Sequence, residues 1–101
     1  MTDKLKVWVE NGKIAVEVTL SSGEKLNVQL RKGPLYCTEN TVVVCDPNWG
    51  NWVFTNKGII FSAPPSIESV LESKHELIIW ADGWKFIFDI ETGQLKTMRM
   101  E

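Results

Sequence analysis

Two turn dipeptides, each between runs of alternating apolar and polar residues, constrain the fold more than any other feature of the sequence. The first is Asn11-Gly12, between residues 4–10 and 13–20. The second is Asp82-Gly83, between residues 76–81 and 84–90. Both central residues of a type I′ turn take positive φ, which Asn, Asp and Gly tolerate, so such a dipeptide is a strong hairpin signal. We therefore predict an antiparallel β-hairpin at each place.

Apolarity and charge predict the same register for the first hairpin. Pairing around Asn11-Gly12 joins apolar residues on one face and opposite charges on the other. A slip of one residue would break both sets of pairs. The predicted pairs are Val9–Ile14, Val7–Val16 and Leu5–Val18 on the apolar face, and Glu10–Lys13 and Lys6–Glu17 on the polar face.

The rest of the chain adds further short strands and one candidate helix. Residues 26–30, 41–45, 52–54, 58–62 and 94–100 have strand patterns between turn residues, and 41–45 is apolar on both faces. Ser66 can cap a helix over residues 67–74, where Ile67, Val70 and Leu71 fall at helical spacing. We expect a mainly-β fold, an antiparallel β-sandwich or partly open barrel of about eight to nine strands with one short helix.

Length and charge limit the class of protein. A chain of 101 residues with 44% hydrophobic residues is expected to form a single β-rich domain over residues 1–101. Its net charge of -2, without a run of five like charges, argues against binding to nucleic acid. No apolar stretch is long enough for a signal peptide or membrane span, so we expect a cytoplasmic protein that does not enter membranes, with Cys37 and Cys45 reduced.

The sequence lacks the residue patterns of catalytic and metal sites. His75 is the only histidine, which removes most metal sites, and we expect it to face solvent. No phosphate-binding, dinucleotide-binding, zinc-protease or serine-hydrolase motif occurs. We therefore expect no enzymatic activity, no metal and no cofactor.

Three of the five tryptophans are candidates for binding a partner. Trp8 falls on the polar face of the first hairpin, opposite Ala15, where it is either an interface anchor or covered by another layer. Trp49 and Trp52 lie in or beside a loop rich in Gly and Asn, and loops on a rigid β-scaffold are common binding sites.

Acidic residues are the second candidate surface. Residues 64–101 have seven acids against four bases and carry a charge of -3. Glu68, Glu72 and Glu76 follow one another at four-residue spacing, which on the predicted helix would make an acidic ridge. The ridge is either an ordinary solvated face or a patch for a basic partner.

The last hairpin and the following turn, residues 80–95, read Trp-Ala-Asp-Gly-Trp-Lys-Phe-Ile-Phe-Asp-Ile-Glu-Thr-Gly-Gln-Leu. This segment resembles small β-rich bacterial immunity proteins, including those that neutralise toxins of contact-dependent growth inhibition. The resemblance implies a cytoplasmic protein that binds one toxin domain, often a nuclease, and blocks its active site. Such proteins share no binding motif, so no residue role is carried over.

These observations give one leading hypothesis and two alternatives. The leading hypothesis is a protein-binding inhibitor of the immunity kind, whose partner is a basic bacterial toxin domain. Its contact residues would be Trp8, Trp49, Trp52, Glu68, Glu72 and Glu76. The first alternative is a carbohydrate- or ligand-binding module that stacks sugars on Trp49 and Trp52, and the second is a structural subunit of a larger assembly.

Overall fold

The computed structural model describes residues 5–20, 22–30, 35–46 and 50–100, and every regular element in these ranges is a strand. The mainly-β prediction is confirmed, but the expected strand count was too low. None of the described segments is a helix long and apolar enough to cross a membrane. The eleven strands are β1 (Leu5–Glu10), β2 (Lys13–Thr19), β3 (Lys25–Leu30), β4 (Leu35–Cys37), β5 (Thr41–Asp46), β6 (Gly50–Thr55), β7 (Ile60–Ser62), β8 (Ile67–Ser73), β9 (Glu76–Ala81), β10 (Trp84–Asp89) and β11 (Leu95–Met100).

The strands form three antiparallel sheets, each with its strands in chain order. We call them the N-terminal sheet (β1–β3), the middle sheet (β4–β7) and the C-terminal sheet (β8–β11). Each strand pairs with its neighbours along the chain, so short turns are enough to build every sheet.

Both predicted hairpins are confirmed, and so is the register of the first. Val9 pairs with Ile14 and Glu10 with Lys13 across the β1–β2 turn. The turn residues take the left-handed backbone conformation that a type I′ turn requires. The φ angles are 51° and 74° at Asn11 and Gly12, and 52° and 79° at Asp82 and Gly83.

Two hydrophobic clusters show that the sheets are stacked with the middle sheet between the other two. One cluster joins Val16 of the N-terminal sheet to Val42 and Val44 of β5. The other joins Val43 of β5 to Ile79 of the C-terminal sheet. Alternate residues of β5 therefore point into different cores, which confirms that residues 41–45 form a strand covered on both faces. The three-layer stack replaces the two-sheet sandwich or barrel that we expected from the sequence.

The predicted helix over residues 67–74 is wrong, because this segment is strand β8. A β-bulge between Ile67 and Ser69 adds one residue to the strand. Ile67 pairs with Ala81 and Val70 with Ile79, two positions apart on β9 and therefore on one face. The bulge thus allows apolar residues three positions apart to share a face of a sheet. Ser66, with a φ of 58°, precedes the strand and caps no helix.

Candidate functional site

The outer face of the C-terminal sheet is the face that points away from the middle sheet. Strand β9 alternates regularly, with Leu77 and Ile79 buried and Ile78 and Trp80 only partly buried. The buried set packs into the core, so Ile78 and Trp80 lie on the opposite face. Neither hydrophobic cluster of the described residues includes Ile78 or Trp80.

An apolar row crosses the centre of the outer face. The strand register places Ile78 of β9 between Leu71 of β8 and Ile87 of β10. Leu71 is 51% exposed, while Ile78 and Ile87 are each partly buried. Strands in a sheet are about 4.8 Å apart, so the row extends for about 10 Å across three strands. We call Leu71, Ile78 and Ile87 the apolar row.

One end of the outer face has a rim of opposite charges. Glu76 pairs with Asp89 across β9 and β10, and the Lys96 ammonium donates a hydrogen bond to the Glu76 carboxylate. This bond and the negative charge of Glu76 raise the pKa of Lys96. Glu76, one of the acids selected from the sequence, is therefore a neutralised part of a mixed-charge rim.

The other end of the outer face combines an aromatic ring with two cations. Trp80 pairs with Lys85, whose ammonium nitrogen lies 5.7 Å from the centre of the indole ring. Arg99 pairs with Lys85 from the other side, on β11. Along the strand direction, the apolar row is thus flanked by charged side chains on both sides.

Glu72 lies in a hydrogen-bond network between the middle and C-terminal sheets. Its carboxylate accepts hydrogen bonds from the Thr38 hydroxyl, from the Asn40 backbone N–H at 2.9 Å and from the Asn40 side-chain amide at 2.6 Å. These donors lie around the turn between β4 and β5, so Glu72 ties that turn to β8. Glu72 therefore connects the middle and C-terminal sheets through hydrogen bonds.

The pKa of Glu72 reflects this network. Partial burial alone would raise it, because burial penalises the charged form. The hydrogen bonds from Thr38 and Asn40, together with the nearby His75, outweigh burial and lower the pKa below its ordinary value. The carboxylate is therefore held in its ionised form.

The acidic ridge predicted from the sequence does not form. Glu68 is the exposed extra residue of the β8 bulge, Glu72 bonds to the middle sheet, and Glu76 begins the next strand. The three carboxylates would follow one another only on a helix, and this segment is a strand with a turn after it.

The tryptophans selected from the sequence also lie apart. Trp8 pairs with Ala15 on the outer face of the N-terminal sheet, and its indole N–H donates to the Glu10 carboxylate at 3.2 Å. Ala15 is fully buried although it lies on this outer face, which indicates that the Trp8 ring covers it. Trp49 lies outside the described residues.

Trp52 is on the inner side of the fold. It is partly buried against the core between the N-terminal and middle sheets. It also lines an apolar cavity of about 190 Å³ together with Leu26, Val28, Phe54 and Ile60. The N-terminal sheet therefore separates the two rings: Trp8 lies on its outer face, and Trp52, from the middle sheet, packs toward its inner face.

Sequence reasoning missed the apolar row, although a signal for it was present. In residues 76–81 and 84–90 the polar-face positions of the predicted hairpin include Ile78 and Ile87, which the Asp82-Gly83 register places opposite each other. An apolar pair on the nominally polar face of a hairpin indicates that this face is not simply solvated. Leu71 could not be added to the pair while its segment was interpreted as a helix.

The remaining reactive groups are dispersed. Cys37 and Cys45 are free thiols, and burial raises the pKa of each. His75 is exposed, as expected, and its Nδ1 lies 3.5 Å from the Glu91 carboxylate. In the described ranges no three His, Cys, Asp or Glu side chains are grouped so that they could hold a metal ion.

Comparison with known proteins identifies no family for this chain. No protein-family model matches the chain, and no curated protein matches it. Among solved structures it is similar to the computationally designed Ika8 protein, with 19% sequence identity and a TM-score of 0.47. The match covers 92% of this chain and 35% of the designed chain, so this chain spans about a third of that protein's length.

Proposed function

We propose that this domain binds a protein partner through the outer face of its C-terminal sheet. The apolar row with charged side chains on both of its sides is the observation that carries the proposal. Protein interfaces typically have an apolar centre and a polar rim, and they are enriched in Trp and Arg. Trp80 and Arg99 supply these two residue types beside the row.

The shape of the surface favours a protein over a small ligand. Small-molecule sites are usually concave and enclose most of the ligand. The apolar row lies on the open face of a sheet, where Leu71 is half exposed. A partner that covers the row must itself present an extended surface.

The finer role that we propose is inhibition of the immunity kind, in which the domain covers the active site of a toxin. The resemblance of residues 80–95 to small immunity proteins supports this role, and these residues include Trp80, Lys85 and Ile87 of the outer face. The partner would be a basic toxin domain in the cytoplasm, and the protein itself would catalyse no reaction. The exposed Glu68 borders the face and could contact a basic partner.

The carbohydrate-binding alternative receives no comparable support. A stacking platform needs two indole rings presented side by side. Trp52 is instead partly buried against the core between the N-terminal and middle sheets.

The proposal is tested by the kinetics of the captured partner. The partner is isolated from the source cell with the wild-type domain. Its dissociation rate is then measured from the wild type, from Leu71→Glu and from Val9→Glu, which is the matched control. Val9 is 75% exposed on β1, so the same apolar-to-acid change is made away from the proposed surface. We expect Leu71→Glu to speed dissociation at least about tenfold, because central interface residues contribute most of the binding free energy. Val9→Glu should leave the dissociation rate unchanged.

Two results would contradict the proposal. One is equal dissociation rates for the wild type and Leu71→Glu. The other is recovery of an oligosaccharide in place of a protein, which would favour the ligand-binding alternative. Thermal unfolding of both variants shows whether the fold is intact.

A further inference from the structure

The N-terminal sheet has three strands, whereas the middle and C-terminal sheets each have four. Strand β3 pairs with β2, and no strand of the described residues pairs with its other edge. Leu26 and Val28 of β3 line a cavity with Trp52 and Phe54 of β6, which is the third strand of the middle sheet. The third strands of the two sheets therefore face each other, and a fourth strand beside β3 would face β7.

The hydrogen-bond pattern shows which backbone groups of β3 point toward this other edge. The Leu20 N–H donates to the Glu24 carbonyl at 2.7 Å, at the end of the β2–β3 ladder. Hydrogen-bonded pairs alternate in an antiparallel ladder. The pairs Val18–Leu26 and Val16–Val28 therefore also bond between β2 and β3. Lys25, Asn27 and Gln29 alternate with these bonded residues along β3, so their N–H and C=O groups point away from β2.

The cavity lies where side chains of a fourth strand would pack. All five residues that line it are apolar, and Ile60 is contributed by β7, the fourth strand of the middle sheet. Ile60 packs against the core between the two sheets. The cavity of about 190 Å³ is therefore the space opposite Ile60 that β3 alone does not fill.

We infer that β3 is an acceptor for an extended segment of a partner protein, which adds to the N-terminal sheet as its fourth strand. Strand addition of this kind obtains affinity from backbone hydrogen bonds and specificity from alternate side chains. The segment would bond to the backbone of Lys25, Asn27 and Gln29. Its apolar side chains, at every second position, would fill the cavity. This site is separate from the outer face of the C-terminal sheet and does not depend on the role proposed for that face.

The probe for this test is a capped seven-residue peptide that alternates threonine and isoleucine and has a lysine at each end. A control peptide has serine in place of each isoleucine. Amide hydrogen exchange of the full chain is measured by NMR with and without each peptide. We expect the isoleucine peptide to slow exchange at Asn27 and Gln29 at least about tenfold, as new backbone bonds form. Leu26 and Val28 already bond to β2 and serve as internal references.

Two variants test the backbone and the cavity separately. Asn27→Pro removes an N–H that points away from β2, and an edge strand tolerates proline at such a position. Leu26→Glu places a charge at the mouth of the cavity, where Leu26 is 37% exposed. Each should weaken peptide binding at least about tenfold. Val9→Glu, on β1 at the opposite edge of the same sheet, makes the same apolar-to-acid change and should leave it unchanged.

Unchanged exchange at Asn27 and Gln29 at the solubility limit of the peptide would overturn the inference. Equal binding of the serine control would also overturn it, because the cavity would then have no part in recognition. Protection at β11 with none at β3 would place strand addition at another edge and would count against it. Amide exchange of the other strands is measured in the same spectra. A variant is folded if these strands exchange as they do in the wild type.

Discussion

Glu72 is a carboxylate held by donors from the turn between β4 and β5, and its ionisation contributes to the stability of the fold. Its pKa in the folded state lies below the ordinary value of 4.5. A group with a lowered pKa stabilises the fold fully above its unfolded pKa. This contribution is lost as the pH falls through the folded pKa. The contact between the middle and C-terminal sheets should therefore weaken in acid.

We predict that Glu72→Gln lowers the free energy of unfolding by about 1 to 3 kcal/mol at neutral pH, since the remaining amide oxygen is uncharged and the amide nitrogen cannot accept the bond from Asn40 or Thr38. The difference from the wild type should narrow as the pH falls through the lowered pKa of the folded state, where the wild-type carboxylate also becomes protonated. Denaturant unfolding at a series of pH values measures both effects. Glu68→Gln is the matched control, because Glu68 is exposed and should change stability by less than about 0.5 kcal/mol. A difference that is independent of pH would contradict the account.

The local partner of Trp8 could be predicted from the sequence, whereas the partners of Glu72 could not. Trp8 lies three residues before Asn11 and Ala15 three residues after Gly12, so the turn alone determines that they pair. Glu72 meets Thr38 and Asn40 through contacts between two sheets, and no local rule specifies such contacts. The candidate site was misjudged for the same reason.

At the scale of elements, the turn between β10 and β11 packs closely against β7. Gly93 in this turn has a φ of +78°, and a Cβ added there would lie 2.9 Å from Ile59 Cγ2 and 3.1 Å from Phe61 Cδ1. Gly83, in the turn between β9 and β10, has nearly the same φ of +79° and no atom within 4 Å of such a Cβ. The two glycines therefore share a backbone conformation and differ in their surroundings.

We predict that Gly93→Ala destabilises the fold more than Gly83→Ala does. Both variants place a Cβ in the left-handed region, which costs about 1 to 2 kcal/mol. Gly93→Ala should add about 1 to 3 kcal/mol, because the new methyl group overpacks the contact with Ile59 and Phe61. Denaturant melts of the two variants measure the difference. Equal losses of stability would mean that this turn does not pack on β7 as described.

The hairpins were predictable because their turns and their alternation are local signals. Strand β8 was not, because its bulge makes the spacing of Ile67 and Val70 look helical. A one-residue insertion in a strand and one turn of a helix both bring residues three apart onto a common face. Only the pairing of β8 with β9 distinguishes the two, and the spacing of apolar residues within β8 does not reveal that pairing.

At the scale of the whole molecule, the number of layers depends on which sheet is covered on both faces. The apolar run Thr41 to Cys45 indicated a strand of this kind, and β5 is the strand that contributes side chains to both cores. Two sheets cannot cover a strand on both faces, so this run was the available evidence for a third layer. The order of the sheets required the pairing of every strand and could not be obtained from single hairpins.

The two ends of the stack differ in what they present. The outer face of the N-terminal sheet has charge pairs such as Glu10 with Lys13, and Trp8 covers Ala15 there. The outer face of the C-terminal sheet has the apolar row at its centre. We propose that a protein partner binds this second face.

Methyl cross-saturation from the captured partner tests this claim most directly. Ile78 and Ile79 are adjacent in β9 and lie on opposite faces, so the buried Ile79 is an internal control for Ile78. We predict that saturation passes from the partner to the methyl groups of Ile78 and Ile87, and not to those of Ile79. Saturation that reaches Ile60 but neither Ile78 nor Ile87 would contradict it and would place the partner at the cavity beside β3.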